Sequence, residues 1–173
     1  MSHCGVNAFH LFKSREGWKI TQVTDTRRRN NCQTEANDAT AEIDALLNNW
    51  HKAAATADED VFFGSMAPGA VYLGTDASEK WKKEVFEEWS KKYFERETAW
   101  SFTPKNREVY FSKNGKTAWF DELLDTWMGI CRGSGVLQKE GSSWKLAHYN
   151  LAIMVPNERV QDLLKMMKEE GDK

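Results

Sequence analysis

Several features that mark particular protein classes are scarce in this sequence. Its three cysteines are an odd number without a CxxC pair, which excludes a disulfide framework and a cysteine-based zinc site. No segment approaches the roughly 20 apolar residues that a membrane-spanning helix needs. The 24 lysines and arginines do not outnumber the 26 aspartates and glutamates, so the basic excess of a phosphate-neutralising protein is missing. We therefore expect neither a membrane nor a nucleic acid as partner.

Familiar catalytic signatures are missing as well. The sequence contains no glycine-rich phosphate loop, no GxSxG elbow, no HExxH motif and no paired cysteine and histidine nucleophile. We therefore expect no cofactor, no metal site and no ATP, NAD or acyl-enzyme chemistry. The N-terminal residues also lack the apolar run of a secretory signal. Together with thiols that have no partner, this indicates a cytoplasmic protein.

Material for a hydrophobic core is abundant. Hydrophobic residues make up 40% of the chain and aromatic residues 12%, including eight tryptophans, which argues against disorder. Residues 5–28 alternate about a polar turn and predict a β-hairpin, and the polar stretch that follows predicts a linker. We therefore divide the chain into residues 1–38, the hairpin and linker, and residues 39–173, a complete domain.

The period of the apolar residues changes once within that domain. Residues 43–54 follow the spacing of a helix with one buried face, which Asp38 or Thr40 could cap. Asp58 would cap a short second helix, and the capping-box pattern at Asp76–Glu79 predicts the start of a long third one. From residue 99 the period becomes two. It predicts strands at 99–103, 107–112, 116–131, 133–140 and 143–154, and Pro156 then opens a final helix.

This order of elements predicts an α+β fold. Helices that precede long antiparallel strands form a strongly curved, cone-shaped sheet with helices on one face. The N-terminal hairpin and the C-terminal helix are additions to that plan.

The two hairpins at the ends of the chain also resemble each other. Trp18–Ile20 coincides with Trp144–Leu146 after a displacement of 126 residues, and Leu11 and Lys13 also coincide with a leucine and a lysine. One interpretation is chance, because any hairpin alternates. The other is that residues 5–28 are the terminal hairpin of a preceding, related domain.

Motifs spread over residues 43–157 resemble the SnoaL-like branch of the nuclear-transport-factor-two/ketosteroid-isomerase superfamily. The motifs are Trp50–Ala54, Val71–Asp76, Ala118–Phe120, Arg132–Leu137, Trp144–Tyr149 and Val155–Asn157. Gly17–Ile20, followed by Asp25–Arg28, resembles the closing strand of another member. The resemblance implies a cystatin-like cone in which helices and sheet enclose a cavity, and an outer sheet face that often forms a homodimer. The superfamily contains isomerases, cyclases, dehydratases and hydrolases as well as carriers and assembly modules, so fold does not decide function.

Acid/base chemistry in such a cavity requires an ionisable group among apolar walls. Asp121 and Glu122 are adjacent on a strand, so alternation sends one of them into the cavity and the other out, and the sequence leaves open which. Either could instead be a solvated or interface carboxylate. His148 is the best acid/base candidate because the ordinary pKa of histidine lies near neutrality. The alternative is a histidine that only packs in the core.

Further residues are candidates for substrate binding. Arg132 could hold a carboxylate or phosphate through its planar guanidinium, or form a structural ion pair. The other candidates are Tyr72, Trp89, Trp119 and Asn150. We hypothesise that His148 acts as acid and base, that Asp121 or Glu122 orients it, and that Arg132 holds an anionic group.

Two classes of function remain compatible with these features. In the first, the protein binds a small, partly apolar molecule in its cavity and is a cofactor-independent acid/base enzyme or a carrier. In the second, it is a non-enzymatic dimerisation or assembly module with a vestigial cavity. In both, we expect a homodimer through the outer sheet face, because the strands at 107–112 and 116–131 carry apolar residues at both parities.

Overall fold

The computed structural model of the protein describes residues 7–14, 17–25 and 34–171. The chain forms two compact units, Met1–Glu42 and Ile43–Lys173. The first contains the predicted hairpin, whose strands are β1 (Asn7–Ser14) and β2 (Gly17–Asp25), paired antiparallel. Residues 27–33 of the linker predicted at 27–38 lie outside the described residues. The rest of that prediction was wrong, because residues 34–38 are helical and the first helix begins at Thr34 rather than after Asp38 or Thr40.

The second unit contains the helices and the main sheet. The helices are α1 (Thr34–Ala55, whose first turns belong to the first unit), α2 (Glu59–Gly64), α3 (Lys83–Phe94) and α4 (Val160–Gly171), the last preceded by a 3-10 turn at Asn157–Arg159. The strands are β3 (Met66–Leu73), β4 (Lys80–Lys82), β5 (Thr103–Phe111), β6 (Thr117–Thr126), β7 (Gly129–Glu140) and β8 (Ser143–Ile153). This confirms the predicted α+β architecture.

The six strands lie in the order β4-β3-β8-β7-β6-β5. All neighbours are antiparallel except β3 and β8, which run parallel. The sheet is therefore mixed, whereas the sequence predicted an antiparallel one. The reason is topological: the hairpin from β7 fixes the direction of β8, and a long crossover separates β8 from β3 along the chain.

Three predicted boundaries were wrong. The strands predicted at 99–103 and 107–112 form a single strand, β5, which begins only at Thr103. The strand predicted at 116–131 is interrupted, because the Thr126 hydroxyl donates to the Gly129 carbonyl and accepts from the Met128 amide, closing a turn between β6 and β7. The Glu79 carboxylate does accept from the Asp76 amide, as a capping box would. That pattern closes a turn before β4 rather than opening a helix, and α3 begins only at Lys83.

Local signals explain the short helices. The Asp58 side chain accepts a hydrogen bond from the Val61 amide at 3.1 Å and caps α2, as predicted. In α3, Phe86, Ser90 and Phe94 are buried at intervals of four, so one face of the helix packs inward.

The core lies between the helices and one face of the sheet. On β6 the buried residues are Ala118, Phe120, Glu122 and Leu124, which identifies the inner face of that strand. From α1, Trp50 stacks on Phe62 and meets the edge of Tyr149 on β8, with ring centroids 4.7 Å apart in both pairs. Burial of each such side chain contributes about 1.5–3 kcal/mol, so this aromatic layer holds α1 and α2 against the sheet.

Candidate functional site

A cavity of about 360 Å³ opens among α3, the start of β4, the end of β3 and the loop before β5. Most of its lining is aromatic. Its rings include Tyr72, Trp81, Phe86, Trp89, Tyr93 and Trp100. Trp127 and Met128, from the turn between β6 and β7, and Leu151 of β8 complete another side.

Four rings of this lining lie close to parallel with Phe86. Their interplanar angles to Phe86 are 20° for Tyr72, 19° for Trp81, 23° for Trp89 and 29° for Trp100. The Phe86 and Tyr72 centroids are 4.2 Å apart, a distance typical of offset stacking. Tyr93 instead meets Trp100 edge-on at 68°. Around Phe86 the wall therefore presents aromatic faces of similar orientation.

Few ionisable groups accompany the rings. Glu79 and Arg96 belong to the lining, and the Arg96 guanidinium lies 4.7 Å from the centroid of the Tyr93 ring, a cation–π distance. Burial, followed by the nearby Glu79 charge, raises the pKa of Tyr72 far above its ordinary value, so this phenol stays protonated at neutral pH. Among the lining residues that the structure describes there is no histidine.

A second group of polar side chains lies between α1 and the sheet. We call Asp44, Asn48, His51, Arg107 and Glu122 the polar cluster. The side chains of His51, Arg107 and Glu122 are buried, whereas Asp44 is half-exposed and Asn48 is exposed. His51 Nε2 lies 2.7 Å from Glu122 Oε1, with the two side chains 4% and 0% exposed. Arg107 Nε donates to Glu122 Oε2 at 2.8 Å, and its Nη1 donates to Asp44 Oδ1 at 3.1 Å and Asn48 Oδ1 at 3.0 Å. The cluster thus connects α1 with β5 and β6.

The cluster keeps Glu122 ionised. Burial acts to raise the pKa of this carboxyl, but hydrogen bonds and charges from His51 and Arg107 outweigh it and hold the pKa below its ordinary value. A buried carboxylate is tolerated only when it is paired and hydrogen-bonded in this way.

Two tyrosines lie between the cluster and the cavity. Tyr72 lines the cavity and stacks on Tyr149, with ring centroids 5.4 Å apart. The Tyr149 ring centroid in turn lies 6.5 Å from that of His51. The cluster residues do not line the cavity. The Tyr149 hydroxyl is buried without a hydrogen-bond partner among the described residues, and a Cβ at Gly133 would overlap it.

The structure places two of the candidate residues in the cavity and one in the cluster. Tyr72 and Trp89 line the cavity. Of the two adjacent carboxylates on β6, Glu122 is the one that points inward. It contacts the cluster rather than the cavity. Asp121 is half-buried on the opposite face of β6.

His148 does not line the cavity, contrary to the expectation from alternation. A β-bulge leaves Ala147 unpaired, since Leu146 pairs with Leu137 and His148 with Val136. The extra residue reverses the parity, so Leu146 and Tyr149 both point inward and His148 lies half-buried on the outer face.

The remaining candidates also lie on the outer face. Arg132 and Trp119 are exposed there, the latter by 44%. Asn150 borders a second groove beside Leu163 and Met167 of α4. The structure therefore does not bring His148, Arg132 and Glu122 together into one site.

Sequence reasoning identified neither Arg107 nor His51 as a site residue. His51 directly follows the buried Trp50, and Arg107 has the same parity as Val109 and Phe111, which are not exposed. An arginine at the parity of an inner sheet face needs a buried acidic partner. That pattern, combined with adjacent acidic residues on the next strand, is the signal that could have identified the cluster.

Among the described residues, no group of three or more histidine, cysteine, aspartate or glutamate side chains is arranged to hold a metal ion. No helix that the structure describes is long and apolar enough to cross a membrane.

Comparison with known proteins identifies the domain. A sequence model of the SnoaL-like domain matches residues 43–156. Among curated proteins, no relative matches the chain.

Solved structures share the fold at low sequence identity. An NTF2-like protein of unknown function from Pseudomonas putida KT2440 is 17% identical with a TM-score of 0.59, covering 70% of this chain and 91% of that one. A candidate dehydratase of the NTF2-like family from Streptomyces avermitilis is 9% identical with a TM-score of 0.60, covering 70% and 99%. A protein of unknown function with a cystatin-like fold from Nostoc punctiforme PCC 73102 is 13% identical with a TM-score of 0.54, covering 66% and 90%.

Proposed function

Because the chain belongs to the SnoaL-like domain family, we propose that it is a small-molecule-binding protein and that the aromatic cavity is its binding site. The observation that carries the proposal is the set of near-parallel rings around a space of about 360 Å³. That volume lies within the range of about 300–1,000 Å³ typical of small-molecule pockets. Walls of parallel aromatic faces favour a flat ligand, because stacking rewards planar contact.

Polar groups at the cavity would orient such a ligand. Tyr72 stays protonated, so its hydroxyl can donate a hydrogen bond. Arg96 and Glu79 supply one charge of each sign to the lining. Mostly apolar walls with a few polar groups are the usual composition of a ligand site. The ligand class is therefore flat, mainly apolar and weakly polar at its edge.

We propose binding rather than a defined reaction. The acid/base hypothesis required His148 beside a carboxylate in the cavity, and His148 and Arg132 lie on the other face of the sheet. Glu122 is ionised and fully enclosed by His51 and Arg107. Its function there is to connect α1 with β5 and β6, which is a structural role.

Tryptophan fluorescence provides a direct test, because four tryptophans line the cavity. Titration with 1-naphthol should quench the emission saturably, and cyclohexanol, which is not planar, should quench it much less. Trp89→Ala should weaken 1-naphthol binding by about 2- to 12-fold, since a stacked ring contributes about 0.5–1.5 kcal/mol beyond its buried area.

Trp119→Ala is the matched control. Trp119 is 44% exposed and Trp89 is 37% exposed, but Trp119 lies on the outer face of the sheet. Trp119→Ala should therefore leave the affinity for 1-naphthol unchanged. Equal loss in both variants, or no saturable quenching in the unmodified chain, would contradict the proposed site.

Homodimerisation through the outer sheet face is a second candidate function, and one observation favours it. Trp119 and Tyr110 stack on that face with an interplanar angle of 16° and remain 44% and 41% exposed. Exposed aromatic residues of this kind are enriched at protein interfaces. A second copy would cover them.

Sedimentation at micromolar concentration tests the dimer. Trp119→Glu should shift the chain toward monomer, whereas Val85→Glu, at a position 57% exposed on α3, should not. A monomeric unmodified chain would contradict the proposal. A dimer that binds no planar ligand would instead favour the assembly module with a vestigial cavity.

A further inference from the structure

The hairpin β1–β2 repeats the pairing register of the hairpin β7–β8. After a displacement of 126 residues, the pair Ser14↔Gly17 coincides with Glu140↔Ser143, and every other pair of the shorter hairpin also has its counterpart. Two residues separate the paired strand ends in both turns. Turn length and register therefore agree over the whole of residues 7–25.

The irregularity is repeated at the same place. In β7–β8 the register shifts between Val136 and Leu137, and in β1–β2 it shifts between His10 and Leu11. Thr21 is thus the extra residue of β2, as Ala147 is of β8. Because a bulge decides which side chains share a face, the two hairpins assign the same positions to the same side.

One side-chain interaction is repeated as well. Lys13 Nζ lies 5.7 Å from the centroid of the Trp18 ring, and Lys139 Nζ lies 5.4 Å from that of Trp144. Both pairs join residues that are directly opposite in the ladder. Chance alternation of a hairpin does not require a shared bulge, a shared turn length and a shared lysine–tryptophan pair.

The two hairpins differ in what covers them. Trp144, Leu146 and Tyr149 are 4%, 0% and 0% exposed. Their counterparts Trp18, Ile20 and Val23 are 67%, 59% and 55% exposed.

In β7–β8 the covering layer is visible. Trp50 of α1 packs on Tyr149, β6 pairs antiparallel with β7, and β3 pairs parallel with β8. A hairpin with the same register and the same inner positions fits a layer of the same kind.

We infer that residues 7–25 are the closing hairpin of a second SnoaL-like unit, and that their inner face is a docking surface for the helix and strand layer of that unit. The partner is a polypeptide segment of SnoaL-like fold that lacks its own closing hairpin. It presents one strand that pairs antiparallel with β1, one that pairs parallel with β2, and a helix that covers Trp18, Ile20 and Val23.

The partner differs from a second copy of this chain, because the SnoaL-like unit of such a copy already contains its own closing hairpin, β7–β8.

Hydrogen exchange on the full chain tests what covers the hairpin. The amides of residues 133–151 serve as the internal reference and should be strongly protected. Those of residues 7–25 should exchange fast at every protein concentration, because an isolated two-stranded hairpin is marginally stable in water. Protection of residues 7–25 that does not depend on concentration would show cover within the chain. Protection that rises with concentration would show cover by a second copy, and either result overturns the inference.

A graft within the full chain tests the equivalence of the two hairpins. The graft consists of Leu146→Ile, Ala147→Thr, His148→Gln, Tyr149→Val and Asn150→Thr, which give β8 the sequence of Trp18–Thr24. It should keep a cooperative thermal transition, since the inner positions stay apolar. A control with the same seven residues displaced by one position reverses the parity and should lose the transition. Equal behaviour of the two variants would overturn the inference.

A double-mutant cycle at Gly133 and Tyr149 tests the same equivalence if the graft does not fold. Gly133→Asn alone should lower the melting temperature by several degrees, because the new side chain meets the Tyr149 hydroxyl. The first hairpin carries Asn7 and Val23 at these two positions. Tyr149→Val should therefore make Gly133→Asn much less harmful. An undiminished loss in the double variant would show that the two hairpins do not share the same inner packing.

Discussion

Glu122→Gln should strongly destabilise this protein, although the substitution only replaces one side-chain oxygen by an NH2 group. The substitution keeps the shape of the side chain but removes the charge that faces both His51 and Arg107. Arg107 is 8% exposed and its Nη2 lies 2.7 Å from Glu122 Oε2. The variant therefore leaves a buried guanidinium with only the half-exposed Asp44 as an anionic partner.

The expected loss of unfolding free energy follows from this loss of pairing. Removing one partner of a buried ion pair typically costs about 3–5 kcal/mol, because the other charge stays desolvated and uncompensated. Asp125→Asn is the matched control. Asp125 forms an ion pair with Lys105 at 2.8 Å, but the two side chains are 54% and 49% exposed. An exposed pair of this kind contributes only about 0–1 kcal/mol.

Urea denaturation at neutral pH measures both effects as free energies of unfolding. Arg107→Leu in the Glu122→Gln background should recover part of the loss, because it removes the uncompensated charge. A Glu122→Gln variant within about 1 kcal/mol of the unmodified chain, or no larger effect than that of Asp125→Asn, would refute the argument.

The stabilisation that Glu122 contributes should also depend on pH. The pKa of Glu122 is lowered in the folded chain relative to its ordinary value of 4.5. The stabilisation from this carboxylate is therefore fully present above pH 4.5 and is lost as the pH falls through the folded-state pKa. The difference in unfolding free energy between the unmodified chain and Glu122→Gln should shrink as the pH is lowered below about 4.5. A difference that stays constant down to pH 3 would contradict this assignment.

Three further predictions concern stability. Phe62→Ala should lower the unfolding free energy by about 3–5 kcal/mol in a urea titration, because the fully buried ring contacts α1 and α3 through Trp50 and Phe86. Asp58→Ala should cost about 1 kcal/mol in the same assay, since the cap of α2 is lost, whereas Asp58→Asn should cost less. Gly135→Ala should lower the melting temperature measured by circular dichroism, because its Cβ would lie 2.5 Å from the His148 carbonyl oxygen.

Family and fold could be predicted from sequence because their signals are local or spread along the chain. The helical spacing of Ile43, Leu47 and Trp50 indicated the buried face of α1, and all three are buried. Asp58 indicated the start of α2 through its own capping chemistry. The SnoaL-like assignment rested on the order of several motifs, and the family match over residues 43–156 confirms it.

The candidate site could be predicted only in part. Tyr72 and Trp89 line the cavity as expected for aromatic residues near its walls. Trp119 does not, although it is also a tryptophan on a predicted element, because strand parity places it outside. The sequence offered Trp89 and Trp119 as equivalent candidates, and only the strand and helix packing separated them.

The amino-acid sequence by itself therefore determined the order of helices and strands, the closing hairpin pattern and the family, since each depends on signals that are local or spread along the chain. The tertiary structure alone decided the face on which each polar residue lies. One unpaired residue, Ala147, turned His148 outward, and the pairing of β5 with β6 brought Arg107 against Glu122 and His51. A bulge and a long-range ion pair arise from the balance of packing over the whole sheet, and no local pattern encodes that balance.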